Sequence, residues 1–334
     1  MRAFVLTRYG GPETAELRDV AVPEPRHGEV QIAVKAAGLN PVDFKIREGQ
    51  LRVIQRHALP AVLGCELSGV VSCVGTGVTR FRAGDEVFTR VAKDRLGAFA
   101  ENACVHEDIV AKKPQTLDFV HAAAVPLAAL TALQALRDEL AVQPGARIFI
   151  PGGAGGVGTF AIQIAKHLGA TVATTASTRG RSLVERLGAD VIVDYTSEDF
   201  VASLRDYDGA FDLIGGETLA RTFSVVRRGG LVVSVAGMPE PTTAMKDLGG
   251  NLGLATLFWV ASAGIRFRAF RAGVRYRYLF MHPSAQDLET LAALIDAKKV
   301  EAIVDRIFPL SEVRGAFEYL ERGRAKGKIV VTMQ

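Results

Sequence analysis

Arg147–Ala176 reads RIFIPGGAGGVGTFAIQIAKHLGATVATTA, and its order of textures decides the fold. Arg147–Ile150 is a short apolar strand, Gly153-Ala154-Gly155-Gly156-Val157-Gly158 matches G-x-G-x-x-G, and Thr159–Leu168 carries apolar residues at helical spacing. A lone G-x-G-x-x-G is weak evidence, but one set between a strand and a helix is the fingerprint of a dinucleotide-binding turn. Gly153 lets the chain turn sharply, Gly155 lets the backbone approach a pyrophosphate, and Gly158 lets the helix pack close to the strand. The free N–H groups and positive dipole end of that helix then meet the phosphates.

The end of the second strand selects the nucleotide. A site for NAD places Asp or Glu there, roughly 20 residues beyond the turn, on the ribose 2′-hydroxyl. Here Thr171–Ala176 is followed by Ser177-Thr178-Arg179-Gly180-Arg181, without an acid. Hydroxyls and guanidinium groups suit a 2′-phosphate, so NADP(H) is the expected cofactor.

Outward from this unit the chain repeats it. GADVIVDY, AFDLIGG and GGLVVSVAG are further short buried strands ending in polar or glycine residues. Strands alternating with helices predict an α/β fold with a Rossmann doubly wound parallel sheet. The first third has another texture. Glu29–Ala36 alternates with a period of two, and Gly69–Gly77 and Gly84–Phe88 are β-rich runs bounded by glycines, as in a compact barrel. The texture shifts near Leu117, and His121–Leu140 is helical in spacing, with Pro126 interrupting it. At the C-terminal end a helix is expected over Gln286–Asp296, a strand over Ala302–Phe308, a helix over Ser311–Arg322 and a strand over Lys328–Thr332. The expected domains are 1–118, a nucleotide-binding 119–285, and 286–334 returning to the first.

Composition narrows the class. Across 334 residues, 49% are hydrophobic and 23% charged, which is globular rather than disordered. The formal charge of +4 suits an anionic small molecule and falls short of a nucleic-acid footprint. No apolar run approaches the ~18 residues of a membrane span, and no membrane partner is expected. Cys65, Cys73 and Cys104 have neither CxxC pairing nor metal-ligand rhythm, so three ordinary thiols in a cytoplasmic enzyme are expected.

Several motifs together resemble a known family. VKAAGLNPVDFK at Val34–Lys45, LGCELSGVV at Leu63–Val71, GAFAEN at Gly97–Asn102, AAAVPLAALTA at Ala122–Ala132, the glycine turn and GKIVV at Gly327–Val331 resemble the zinc-independent branch of the medium-chain dehydrogenase/reductase superfamily, the quinone oxidoreductases and enone reductases. The resemblance implies a GroES-like β-barrel catalytic domain beside the Rossmann domain. Zinc alcohol dehydrogenases of the superfamily carry a ligand Cys where Asn40 stands and a His where Cys65 stands, with a third ligand in the Val125–Leu127 segment. Only Cys65 and Glu66 remain as candidates here, and catalytic zinc wants three protein ligands. No metal site is therefore expected, and Cys65 reads as packing or as a substrate-pocket contact.

By the same resemblance, Asn40 and Pro41 contact the nicotinamide and Thr131 faces the cofactor. Gly155, Gly156 and Val157 meet the pyrophosphate, while Ser177, Arg181 and Tyr195 hold the 2′-phosphate. Gly215, Gly237 and Lys328 make further cofactor contacts. The implied reaction is hydride transfer from NADPH to a quinone or an α,β-unsaturated carbonyl compound. Charge builds on the acceptor oxygen, where a donor helps. Lys45, two residues after Asp43, is the candidate donor or proton source; the alternative is a surface lysine paired with Asp43. Gly49–Leu59 and Met238–Ala263 are expected to shape the acceptor pocket.

Arg266–Arg277 (RFRAFRAGVRYR) is basic with interleaved aromatics, which evokes nucleic-acid binding but lacks the accompanying motif. Its tail, Val274-x-Tyr276-x-Tyr278-x-Phe280, alternates instead as an edge strand near 274–281, able to pair with a second subunit in a homodimer. Trp259, in the apolar run Leu254–Ala263, is expected to pack around a pocket or a dimer contact. Two rivals stay open: an alcohol dehydrogenase holding zinc by atypical ligands, and a catalytically dead NADPH-binding scaffold that binds a partner or RNA.

Overall fold

The computed structural model describes residues 1–333. The chain divides into two units, Met1–Leu130 with the segment from Pro283 onward, and Thr131–His282. The first break thus falls later than the change in composition near Leu117. Two short helices, α2 (Phe119–Ala123) and α3 (Pro126–Leu133), follow that change. Ala123 and Ala124 bury against Ala36 and Val330 of the first unit, which holds the start of the helical segment there. Pro126 separates the two helices, and Gln134–Glu139 continues α3 as a π-helical stretch.

The first unit is antiparallel in most of its pairings. Its strands are β1 (Arg2–Leu6), β2 (Ala15–Asp19), β3 (Glu29–Leu39), β4 (Ala61–Val62), β5 (Glu66–Val74), β6 (Glu86–Arg90), β7 (Asn102–His106) and β8 (Val110–Lys112). Two late strands, β15 (Val304–Pro309) and β16 (Lys328–Thr332), join them, giving the order β15-β16-β3-β5-β6-β8, with β7 on β3 and a separate β2-β1-β4 sheet. The period of two in β3 sends Val30, Ile32 and Val34 into a core with Phe4, Phe99 and Phe317. Register then does the functional work. Ile329 of β16 faces Leu39 of β3, and Gly38 of β3 faces Glu66 of β5. Lys328, Asn40 and Glu66 therefore meet at adjacent ends of three neighbouring strands.

The second unit is a six-stranded sheet, all parallel: β9 (Arg147–Pro151), β10 (Thr171–Ala176), β11 (Val191–Asp194), β12 (Tyr207–Asp212), β13 (Val226–Ser234) and β14 (Arg275–Tyr278). Their spatial order β11-β10-β9-β12-β13-β14 reverses direction between β9 and β12, the switch point at which open α/β sheets bind ligands beyond their strand ends. Phe149, Phe200, Tyr207 and Phe223 fill one side of this sheet.

The edge strand expected near 274–281 is present, since β14 forms the sheet edge, and Ala263–Ala272 ahead of it is a helix. Trp259 is 58% exposed on the helix Leu252–Ala261.

Candidate functional site: a dinucleotide cradle and a buried ionic cluster

In the second unit β9 runs into α4 (Gly156–His167), whose N-cap is Gly155 and whose first turn has no side-chain cap. The helix starts earlier than the sequence pattern suggests, because Gly156–Gly158 already adopt helical geometry and so present their N–H groups at its mouth. The left-handed turn residue is Gly152, with φ 82°. Gly153 serves packing, since a Cβ there would stand 2.1 Å from Thr174 Oγ1. At Gly158 a Cβ would meet Gly152 O at 2.4 Å, which is the close helix approach expected of it. A Cβ on Gly155 would meet only Gly152 O at 3.4 Å, so that position opens outward. Gly153-Ala154-Gly155 thus forms a cradle with a bare backbone.

Parallel register aligns the remaining candidates. Ala176 faces Asp194, which brings Ser177, the N-cap of α5 (Thr178–Arg186), level with Tyr195. Arg181 and Tyr195 are exposed beside them. Sequence reasoning misses Asp194: the neighbouring strand supplies an acid after all. Its carboxylate accepts from Thr178 Oγ1 at 2.6 Å and from Thr196 Oγ1 at 2.6 Å. Those hydroxyls, with Arg181 nearby, hold it below the usual carboxylate range. On the other side of the switch point, buried Asp212 accepts from Gly215 N–H and from Ser234 Oγ at 2.6 Å, and Ser234 Oγ accepts from Gly237 N–H at 2.8 Å. Burial raises the Asp212 carboxyl. This network ties Gly215, at φ 76°, and Gly237 to the ends of β12 and β13. Thr131 lies buried on α3.

The first unit holds a second constellation. Glu66 is fully buried, and its Oε1 accepts from Lys328 Nζ at 2.7 Å and from Asn40 Nδ2 at 2.7 Å. Its Oε2 accepts from the Leu127 N–H at 2.6 Å. Lys328 Nζ also donates to Asn40 Oδ1 and to Leu39 O. An ammonium has three hydrogens, and all three have acceptors here. Lys328 thereby ties Asn40 to Glu66. Gly38 makes the arrangement possible, because a Cβ there would sit 2.2 Å from Glu66 Oε1.

Asn40 also starts α1 (Pro41–Arg47): its N–H donates to Asp43 Oδ2 at 2.8 Å in a capping box, with exposed Pro41 as the first helical residue. Asp43 is fully buried and its Oδ1 has no partner. Burial drives its carboxyl from 3.8 up to about 6, against the Cys65 thiol and the Asn40 N–H, which lower it. Burial likewise pushes the Cys65 thiol far up. Lys45 is partly exposed two residues along the helix from Asp43, a spacing at which helical side chains do not face each other. Further buried polar atoms without partners include Gln55 Nε2 and Oε1, His57 Nε2 and Arg90 Nε. Sequence spacing gives no signal for Gln55, His57 or Arg90.

A parallel sheet carrying a glycine cradle at its switch point, inserted in sequence between two parts of a mostly antiparallel unit, defines a medium-chain dehydrogenase/reductase. The comparisons agree. Residues 26–115 match the family described as alcohol dehydrogenase GroES-like domain, and residues 187–331 match zinc-binding dehydrogenase. The chain is 37% identical to the NADPH-dependent alkenal/one oxidoreductase of Arabidopsis thaliana, across 99% of its own length and 79% of that protein's. It superposes on the quinone oxidoreductase of Coxiella burnetii with a TM-score of 0.86 and 32% identity, covering 100% and 99% of the two chains. The Escherichia coli quinone oxidoreductase complexed with NADPH gives 0.81 and 26%, covering 99% and 100%. The chain belongs to the medium-chain dehydrogenase/reductase superfamily, in its quinone oxidoreductase and enone reductase branch.

The name of the second family raises the question of zinc. Among the described residues no three His, Cys, Asp or Glu side chains gather as a ligand set. Glu66 spends both oxygens on hydrogen bonds and faces an ammonium where a metal ion would have to stand. These residues do not fit a catalytic zinc.

Proposed function

We propose that the protein reduces α,β-unsaturated carbonyl compounds or quinones with NADPH, without a zinc ion. The observation that carries this reading is the uncapped α4 mouth beside a β10 end that offers Ser177, Arg181 and Tyr195. When bound, the cofactor supplies a hydride from its nicotinamide ring. The N–H groups of Gly156, Val157 and Gly158 hold the pyrophosphate, and Gly153-Ala154-Gly155 lets it approach the backbone. Ser177, Arg181 and Tyr195 take the 2′-phosphate, for which the guanidinium offers paired charge-assisted bonds. Thr131, Gly215 and Gly237 complete the cofactor's contacts, and Pro41 lines the nicotinamide.

In the first unit Asn40 is a positioning residue. Its amide hydrogens go to Gly38 O and Glu66 Oε1, and Lys328 occupies its oxygen. The Lys328–Glu66 pair thus fixes the start of α1, and with it Asp43 and Lys45. Lys45 keeps a free ammonium, suited to the oxygen on which charge develops during enone reduction. Asp43, with a carboxyl near 6, is able to hold a proton close to neutral pH. Gln55, on the Gly49–Leu59 stretch, keeps a buried Nε2 donor without a partner, which an acceptor carbonyl would satisfy. Relatives named as alkenal/one and quinone oxidoreductases support both acceptor classes. We also read the free edge of β14 as the seam of a homodimer and the cytoplasm as the site of action.

The test is oxidation of NADPH and, in parallel, NADH by the purified protein against quinones, enones and plain ketones. NADPH-dependent turnover of quinones or enones, insensitive to chelator, is expected. Lys45→Met should cut the enone rate at least about tenfold while sparing quinones, whose reduced anions are intrinsically stable; a full enone rate removes Lys45 from the mechanism. Ketone reduction abolished by a chelator would overturn the zinc-free reading, and NADPH binding without any turnover would leave a binding scaffold.

A further inference from the structure

Leu252–Ala261 reads LGLATLFWVA, and Phe258 is its one buried residue. Leu252 is 72% exposed and Trp259 58%, with Leu257 and Val260 exposed beside them. Ser262 is buried and donates to Phe258 O at 2.6 Å, joining this helix to the next. Ala263–Ala272 reads AGIRFRAFRA and buries only Ala269, leaving Phe270 79% exposed and Phe267 60% exposed. A helix so apolar ordinarily buries its apolar residues, and an exposed cluster of this size marks an interaction surface.

The charge around the cluster is mostly basic, with one exposed acid, Glu217, paired to Arg268 at 3.5 Å. Between Asp247 and Asp287 the chain has no acidic residue, while it has Arg266, Arg268, Arg271, Arg275 and Arg277. Arg266 lies over the Trp259 ring and donates to Trp259 O at 3.2 Å; Arg268 and Arg271 are exposed. The base of the helix pair is fixed. Arg277, buried in β14, holds Asp247 at 2.6 and 2.7 Å, Glu139 at 3.2 Å and Glu240 at 3.2 Å. The two helices are thus presented outward from an anchored root.

From this we infer that the helix pair docks the second unit on an anionic lipid surface, lying in the headgroup region without crossing it. Each helix is ten residues long, about 15 Å, or half the ~30 Å hydrocarbon layer. Apolar residues with an interleaved tryptophan and a rim of arginines match an interfacial helix, aromatic rings at headgroup depth and guanidinium groups on lipid phosphates. A second copy matches poorly. A two-fold contact would set this arginine rim against itself, and the segment has no carboxylate to answer it. The inference departs from the absence of any membrane partner expected from the sequence and is independent of the catalytic reading.

The full chain carries its own reporter, since Trp259 is its only tryptophan. Flotation with phosphatidylcholine vesicles containing roughly one-third phosphatidylglycerol should carry the protein up and shift Trp259 emission to the blue; pure phosphatidylcholine should do neither. Each of Arg266→Gln, Arg268→Gln and Arg271→Gln should weaken partition about fivefold, the equivalent of about 1 kcal/mol. Phe267→Ser/Phe270→Ser, changing exposed side chains, should abolish flotation with its circular dichroism and oligomeric mass unaltered. No blue shift on anionic vesicles overturns the inference. So does a lower mass for the double phenylalanine variant in the absence of lipid, because the patch is then covered by a second copy.

Discussion

Removing the ammonium from the buried cluster tests what fixes Asn40. Lys328 is 3% exposed and Glu66 fully buried, so Lys328→Met leaves a carboxylate in the interior without its counter-charge. Breaking one side of a buried pair costs about 3–5 kcal/mol, most of it the desolvation of the charge left behind. Glu66 still accepts from Asn40 Nδ2 at 2.7 Å and Leu127 N–H at 2.6 Å. Those donors place the expected loss at the lower end, about 3 kcal/mol. In Lys328→Met/Glu66→Gln no charge remains, and the amide oxygen can keep one of the same donors. The double variant should recover about 2 kcal/mol of the loss, a coupling of the size seen between residues in one network. Urea denaturation followed by circular dichroism, run on all four proteins of the cycle, measures both values. A single-variant loss below about 1 kcal/mol, or strict additivity in the cycle, would refute the claim that this ion pair holds the end of β3.

Asp43→Asn should change how stability follows pH. A folded-state carboxyl at about 6 against 3.8 binds protons more tightly than the unfolded chain, so stability is full below about 4 and falls as pH climbs through about 6. At about 1.4 kcal/mol per unit the whole fall is about 3 kcal/mol, and the Asp43→Asn protein, with an amide that cannot ionise, should escape it; parallel curves for the two proteins between acid and neutral pH would contradict the burial argument. At the cradle, Gly155→Ala meets only Gly152 O at 3.4 Å and should keep its melting temperature while losing at least about tenfold in NADPH affinity. Gly158→Ala meets Gly152 O at 2.4 Å and should lose about 1–3 kcal/mol of stability as well. Equal behaviour of the two alanine variants in calorimetry and cofactor titration would undo that distinction.

What the sequence shows and what it hides follow the range of the interactions. The glycine turn is legible because its demands are local: φ at Gly152, the missing Cβ at Gly153 and Gly158, and a helix beginning at once. The acid-free end of β10 is legible in the same way, but Asp194 is not, since only the β10–β11 register sets it beside Thr178. Glu66 and Lys328 stand 262 positions apart, and nothing short of the β16-β3-β5 pairing brings them to Asn40. Read by itself, Glu66 looks like a stranded metal ligand.

The helix Ala263–Ala272 is not legible in the sequence for the opposite reason. Its apolar residues do not choose between periods, because little of it packs against the unit and there is no buried stripe to read. The same lack of a partner makes the segment informative. A sequence that keeps Phe267, Phe270 and Trp259 in water, with no acid between Asp247 and Asp287, carries a cost in solubility that the fold of its own unit does not explain. The glycine cradle and the cluster at Asn40 account for the chemistry without those residues. Their composition is therefore set by something outside the folded unit, and the arginines fix the sign of its charge as negative.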